Sequence, residues 1–355
     1  MKRILKDLII LVLLLLLVGC TKKPELQDTP TQMDQTASDA HKQDVSDGEG
    51  MEPKTGEIIQ QAAWCVYWDP ASASAAVENY TRYKEMVLFG CVYAEDYTLS
   101  VPDRLTELIS KLPDREYSNR PELYLSFIND VIHPDGSSTQ KSTAFLQEVL
   151  TDAELSDTMI DDMIRMTKAF GFDGIELDYE NIHKCDDLWN EYLFFLSRLW
   201  QRSFSENLKL RVILPVSTPV DNLAFVEGPR YIVMCYNLYG YHSGPGPKAD
   251  ENFLKNTVNK FKSLGVDYAV ANGGFEWGPN EEVVRALTAE AAAALATETG
   301  AREMRDSDGV IHYTFQSEDG LHTVFYGDEE TIHRWSEILL EKADGDIRVD
   351  LWRLE

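Results

Sequence analysis

Along most of its length the chain alternates between short apolar runs and longer stretches whose apolar residues recur at helical spacing. Runs at 62–68, 86–93, 122–128, 172–180, 210–216, 231–236, 268–273 and 348–354 read as strands. The stretches 73–84, 102–111, 142–170, 186–204 and 251–264 read as helices, with 220–226 a weaker one. Strands and helices in this alternation predict an α/β chain folded as a (β/α)8 TIM barrel over residues 57–355. The connection before the last strand is too long for a simple crossover. Within it, 280–299 is rich in Ala and Glu and reads as a helix, and 328–342 is helical again. Between them, 310–315 and 321–326 alternate around the hairpin turn Ser317-Glu318-Asp319-Gly320. The pattern predicts a small α+β insertion at 279–345.

The fourth run carries the chemistry. It reads Phe172-Asp173-Gly174-Ile175-Glu176-Leu177-Asp178-Tyr179-Glu180. Successive side chains of a strand face opposite ways, so Glu176, Asp178 and Glu180 share one face and Ile175, Leu177 and Tyr179 the other. A strand between helices is buried on both faces. Carboxylates there are costly unless paired, protonated or used. Barrel active sites lie at the C-terminal ends of strands, which is where Glu180 falls, with Glu176 deeper.

The N-terminus adds a cellular address. Lys2, Arg3 and Lys6 precede an apolar run at 8–18, shorter than the roughly 20 residues that span a bilayer. Residues 1–19 read as a signal peptide. Its end, Leu17-Val18-Gly19-Cys20, resembles a bacterial lipobox, which implies a lipid on Cys20 and anchorage at the extracytoplasmic face of a membrane. Residues 20–56 are polar and nearly free of large apolar side chains, so they read as a disordered tether. A net charge of −27 argues against nucleic acid as a partner. None of the five cysteines forms a C-x-x-C pair, so a zinc site is unsupported and no metal or cofactor is expected. Buried thiols are the expectation, with a Cys65–Cys91 bridge left open.

The segment Asp173-Gly174-Ile175-Glu176-Leu177-Asp178-Tyr179-Glu180 resembles, with one change, the D-G-x-D-x-D-x-E motif of glycoside hydrolase family 18, the chitinase-like family. Met234-Cys235-Tyr236-Asn237 is similar to the family's M-x-Y-D on the sixth strand, and Trp352 stands where a tryptophan of the eighth strand floors the sugar site. The loop 239–247, the segment 302–326 and Phe275-Glu276-Trp277 look like features of the spore-cortex-lytic, peptidoglycan-acting subgroup. Three departures stand out. Leu125-Ser126-Phe127-Ile128-Asn129 replaces the chitinase S-x-G-G, Asn237 replaces Asp, and Glu176 replaces Asp.

Residues two apart on a strand are roughly 6.6 Å apart, so Asp178 and Glu180 are neighbours on one wall. A retaining enzyme with a protein nucleophile instead needs carboxylates roughly 5 Å apart across the bond. The resemblance implies that the substrate's own N-acetyl oxygen attacks, giving an oxazolinium. Glu180 would protonate the leaving oxygen, Asp178 would hold the acetamide N–H, and Tyr236 would bond the acetamide oxygen. Asp173, Glu176 and Asn237 would support them, with Glu176 sharing a proton with Asp178. Trp352, Met234, Trp277, Tyr239 and Asn129 are the expected substrate contacts. The expected partner is a polysaccharide containing N-acetylglucosamine, either peptidoglycan or chitin-like. The alternative from a different class is a catalytically silent glycan-binding lipoprotein of the same fold.

Overall fold

The computed structural model describes residues 60–113, 119–184, 188–221, 223–343 and 345–355. The signal peptide, Cys20, the tether and Cys185 lie outside the described residues.

Eight parallel strands close on themselves: β1 (Gln60–Val66), β2 (Glu85–Ala94), β3 (Glu122–Ile132), β4 (Gly174–Asp178), β5 (Lys209–Pro215), β6 (Arg230–Met234), β7 (Asp267–Ala271) and β8 (Val349–Trp352). Each pairs with the next, and β8 returns to pair with β1, so no edge is left open. Helices run outside between the strands, except across the irregular connection from β5 to β6, which makes this a (β/α)8 TIM barrel. The main core lies between the strands and the helices. A second layer fills the barrel itself, where Trp64, Val87, Tyr124, Ile213, Ile232 and Ala269 meet Phe89, Met234, Tyr236 and Trp352.

Three expectations shift. The helix expected over 142–170 is two, Thr143–Thr151 and Ala153–Ala169. Asp152 is extended between them and its carboxylate caps the second helix through the N–H groups of Glu154 and Leu155. Residues 223–226 are not helical; Val220, Leu223, Phe225 and Val226 satisfy their apolar spacing by packing on the core as irregular chain. Residues 283–287 form a strand, not part of a helix, because their backbone pairs antiparallel with Gly273–Trp277.

The insertion therefore begins at Gly273 rather than residue 279. Its five-stranded antiparallel sheet comprises Gly273–Trp277, Val283–Leu287, Met304–Arg305, Ile311–Ser317 and Gly320–Gly327. The helix Ala289–Thr299 covers it, over a core of its own containing Leu287, Ala292, Ile311, Tyr313 and Val324. The hairpin closes with Ser317 opposite Gly320, at the turn read from sequence. The following helix, Glu329–Lys342, packs against the barrel's core.

Candidate active site

The acidic strand folds as its alternation requires. Tyr179 points outward, stacks on Phe195 and meets the Tyr93 hydroxyl at 3.0 Å. Asp178 ends β4, and Glu180 sits just past the ladder. Gly174 is required by its surroundings: a Cβ there would lie 2.5 Å from the Tyr124 ring and 2.8 Å from the Lys209 carbonyl oxygen.

A cleft of about 690 Å³ opens at the C-terminal ends of the strands. It gathers Asn129, Asp178, Glu180, Met234, Tyr236, Asn237 and Trp352 from the sequence-derived set. Asp178 is buried and its Oδ1 has no hydrogen-bond partner among the described residues. Burial, with the Glu180 and Glu176 carboxylates beside it, pushes its carboxyl well above the usual carboxylate range. Burial and the same acidic neighbours raise the Tyr236 phenol, so at neutral pH it is a donor. The Tyr236 ring lies nearly parallel to Trp352, 17° between planes and 6.4 Å between centroids. Trp352 also meets Phe89 edge-on at 4.8 Å, and Phe89 meets Trp68 at 5.7 Å, so an aromatic row leads from the floor to the rim. Asn237 holds a left-handed backbone at φ 60°.

Asn129 lines the cleft, but its amide is occupied by protein. Its Oδ1 accepts from the Glu180 N–H and its Nδ2 donates to the Glu180 carbonyl. It holds the Glu180 backbone, where a substrate contact was expected.

Four expected residues are not at the cleft. Glu176 is fully buried below it. Its Oε1 accepts from Trp64 Nε1 at 2.6 Å and its Oε2 from Arg211 Nε at 3.0 Å, so the expected proton sharing with Asp178 is replaced by a salt bridge. The register explains this: Glu176 on β4 lies directly beside Arg211 on β5. Asp173 faces the other end of the barrel, where Arg120 donates two hydrogen bonds to it and the Leu123 N–H a third. Trp277 is buried in the insertion between Phe275 and Phe325, its Nε1 donating to the Ser243 carbonyl. Tyr239 packs against Gly246 within its own loop.

Sequence reasoning missed three parts of this assembly. Arg211 reaches Glu85, Glu176 and Asp350 together, all buried, with its guanidinium over the Trp64 and Tyr124 rings. An arginine inside an otherwise apolar strand, Leu210-Arg211-Val212, was the signal for it. Trp68 at the rim had none beyond its aromaticity. Lys141, whose Nζ lies 2.5 Å from Glu180 Oε1, sits in a loop distant from the motif and gives no sign in the sequence. Burial works against the Lys141 ammonium, but Glu180, Asp178 and Asp130 outweigh it and raise its pKa. Cys65, Cys91 and Cys235 are buried free thiols, so the open disulfide pairing is not made; burial pushes Cys65 up to about 12.

No family model matches the chain, and no curated protein sequence does. Solved structures do. The chain is similar to the spore cortex-lytic enzyme SleL of Bacillus cereus, at 17% identity and a TM-score of 0.70, over 83% of this chain and 71% of that one. It is similar to a chitinase from Chromobacterium violaceum at 16% identity and TM-score 0.64, over 83% and 94%. A class V chitinase from Nicotiana tobaccum matches at 12% identity and TM-score 0.66, over 83% and 94%. At these identities the likeness establishes the fold: the chain has the barrel shared by these proteins.

Proposed function

We propose that the protein is a retaining glycoside hydrolase that cleaves β-linked N-acetylglucosamine glycans with the substrate's N-acetyl group as nucleophile. One observation carries the reading. Asp178, buried with an unsatisfied Oδ1, lines the same cleft as Glu180, Tyr236 and Trp352. An acetamide N–H is a fitting partner for that oxygen, and the Tyr236 phenol is a donor for the acetamide oxygen. Holding the acetamide from both ends presses its oxygen toward the anomeric carbon, which replaces a protein nucleophile. Glu180, two residues on, delivers the proton to the leaving oxygen. Trp352 offers a flat apolar face for the sugar ring. Arg211 pairs with Glu176 below the cleft, while the carboxylates of Glu180, Glu176 and Asp130 all disfavour charge on Asp178.

The solved neighbours named for chitin and for spore cortex support a substrate of this class. The lipobox reading adds a lipid anchor on Cys20 and an extracytoplasmic membrane location, which favours a wall glycan over chitin. A silent glycan receptor is favoured by one observation: Glu180 is occupied by Lys141. The discriminating experiment is mass spectrometry of products from purified peptidoglycan and from chitin oligomers, with wild type and Glu180→Gln. Cleavage lost in the variant supports the enzyme. Binding without cleavage by wild type supports the receptor.

A further inference from the structure

Among the described residues that line the cleft, Lys141 is the one Lys or Arg, set against Asp130, Asp178 and Glu180. Its placement is built. Its backbone is left-handed at φ 50°, uncommon for a residue with a side chain. The Lys141 N–H donates to Asp130 Oδ1 at 2.7 Å, and its carbonyl accepts from Asn181 Nδ2 at 3.2 Å. The next residue, Ser142, caps the helix Thr143–Thr151 and donates its N–H to the Asn129 carbonyl at 2.9 Å. The loop is thus pinned on both sides of Lys141, and the ammonium ends 2.5 Å from Glu180 Oε1. The lysine side chain is 46% exposed, open to the cleft, while that of Glu180 is 19% exposed.

This contact conflicts with the acid's task. A carboxylate engaged by an ammonium accepts hydrogen bonds, whereas the acid of a glycosidase has to donate one. Something must take the ammonium away during the reaction. We propose that Lys141 determines specificity, by selecting N-acetylhexosamine glycans that carry a carboxylate next to the scissile bond. This rests on the glycosidase reading above and narrows its substrate class. The substrate's carboxylate takes over the ammonium. Glu180, released, takes one proton from solvent and passes it to the glycosidic oxygen as the bond to the anomeric carbon breaks. The water that later opens the oxazolinium returns a proton to Glu180, and its hydroxyl stays on the anomeric carbon. A neutral glycan offers no exchange partner and leaves the ion pair in place.

Two carboxylates have this chemistry: the lactyl ether of a muramic residue and the ring carboxylate of a uronic acid. The first is free only once its amide-linked peptide has been removed. For that source, an amide-bond hydrolysis must come before this enzyme's step.

The experiment compares kcat/KM on four substrates: peptide-free peptidoglycan strands, peptide-bearing strands, chitin oligomers, and an N-acetylglucosamine–uronate oligomer. Wild type is expected to prefer a free carboxylate, and the peptide-free and uronate arms separate the two sources. Lys141→Met is expected to lower kcat/KM on the preferred carboxylate substrate by about tenfold or more, and to raise it on chitin oligomers, where the ion pair no longer holds Glu180. Lys141→Arg is expected to retain the preference. Calorimetric binding in the Glu180→Gln background reads the same preference without turnover. Equal loss on every substrate in Lys141→Met, or no preference for a carboxylate in wild-type turnover and in binding, overturns the proposal. Absence of turnover with a Lys141-dependent binding preference would instead sink the glycosidase reading and leave carboxylate recognition standing.

Discussion

The side-chain amide of Asn129 brackets the backbone of Glu180, accepting from its N–H at 2.8 Å and donating to its carbonyl at 3.1 Å. Glu180 lies past the end of β4, where no ladder bond fixes it, so this bracket sets where the acid points. A misplacement of roughly 1 Å at a catalytic group costs on the order of 100-fold in rate. Asn129→Ala is expected to lower kcat by about 10- to 100-fold with KM changed only a few-fold. Steady-state kinetics checks this, and an unchanged kcat would remove Asn129 from the account.

Arg211 holds three buried carboxylates, those of Glu85, Glu176 and Asp350. Removing the cation leaves charges with no water to receive them. Arg211→Met is expected to destabilise the fold by about 3–5 kcal/mol in urea unfolding. A loss under about 1 kcal/mol would show that the network is better solvated than its burial implies.

Glu85 gives the barrel floor a pH signature. Burial alone would raise its carboxyl, but Arg230 and Arg211 outweigh burial and bring it from 4.5 to about 2. Its folded pKa is therefore depressed, and its contribution is present above about pH 4.5 and lost as pH falls through about 2. The shift corresponds to about 3 kcal/mol. Wild type is expected to lose stability below pH 5 more steeply than Glu85→Gln, and to be the more stable of the two at pH 7. Parallel curves in pH-dependent melting would contradict this.

The rim ring of Trp68, 44% exposed, continues the aromatic row from Trp352 through Phe89. Under the proposed glycosidase activity it suits a sugar beyond the one stacked on Trp352. Trp68→Ala is expected to raise KM for long oligomers about five- to tenfold, roughly 1 kcal/mol, and to leave short ones unaffected. Equal effects on both lengths would place Trp68 elsewhere in the cycle.

The barrel was legible because its strands are apolar runs separated by amphipathic stretches, a pattern set by burial on both faces. Asp178 and Glu180 stood out as carboxylates sharing one face of a buried strand, whereas Tyr236 and Trp352 were marked by the family resemblance; the fold brings all four to one cleft. Glu176 shares the motif yet lies in the barrel's interior, and Asp173 faces the barrel's other end, because spacing gives the face of a strand but not the depth along it. Trp277 and Tyr239 follow strands on the right side of the barrel, but the insertion sheet and the loop absorb them. Lys141 comes to the site through tertiary folding alone, so periodicity carries no trace of it.

The account rests on Glu180 donating a proton while the sugar's acetyl group attacks. Hydrolysis of matched glycan strands, N-acetylated and N-deacetylated, by wild type and Glu180→Gln measures both halves at once. Cleavage confined to wild type on the acetylated strand, with a loss of about 1,000-fold or more in the other three combinations, is the expected result. Comparable rates on deacetylated strands, or a Glu180→Gln variant that keeps its activity, would contradict it.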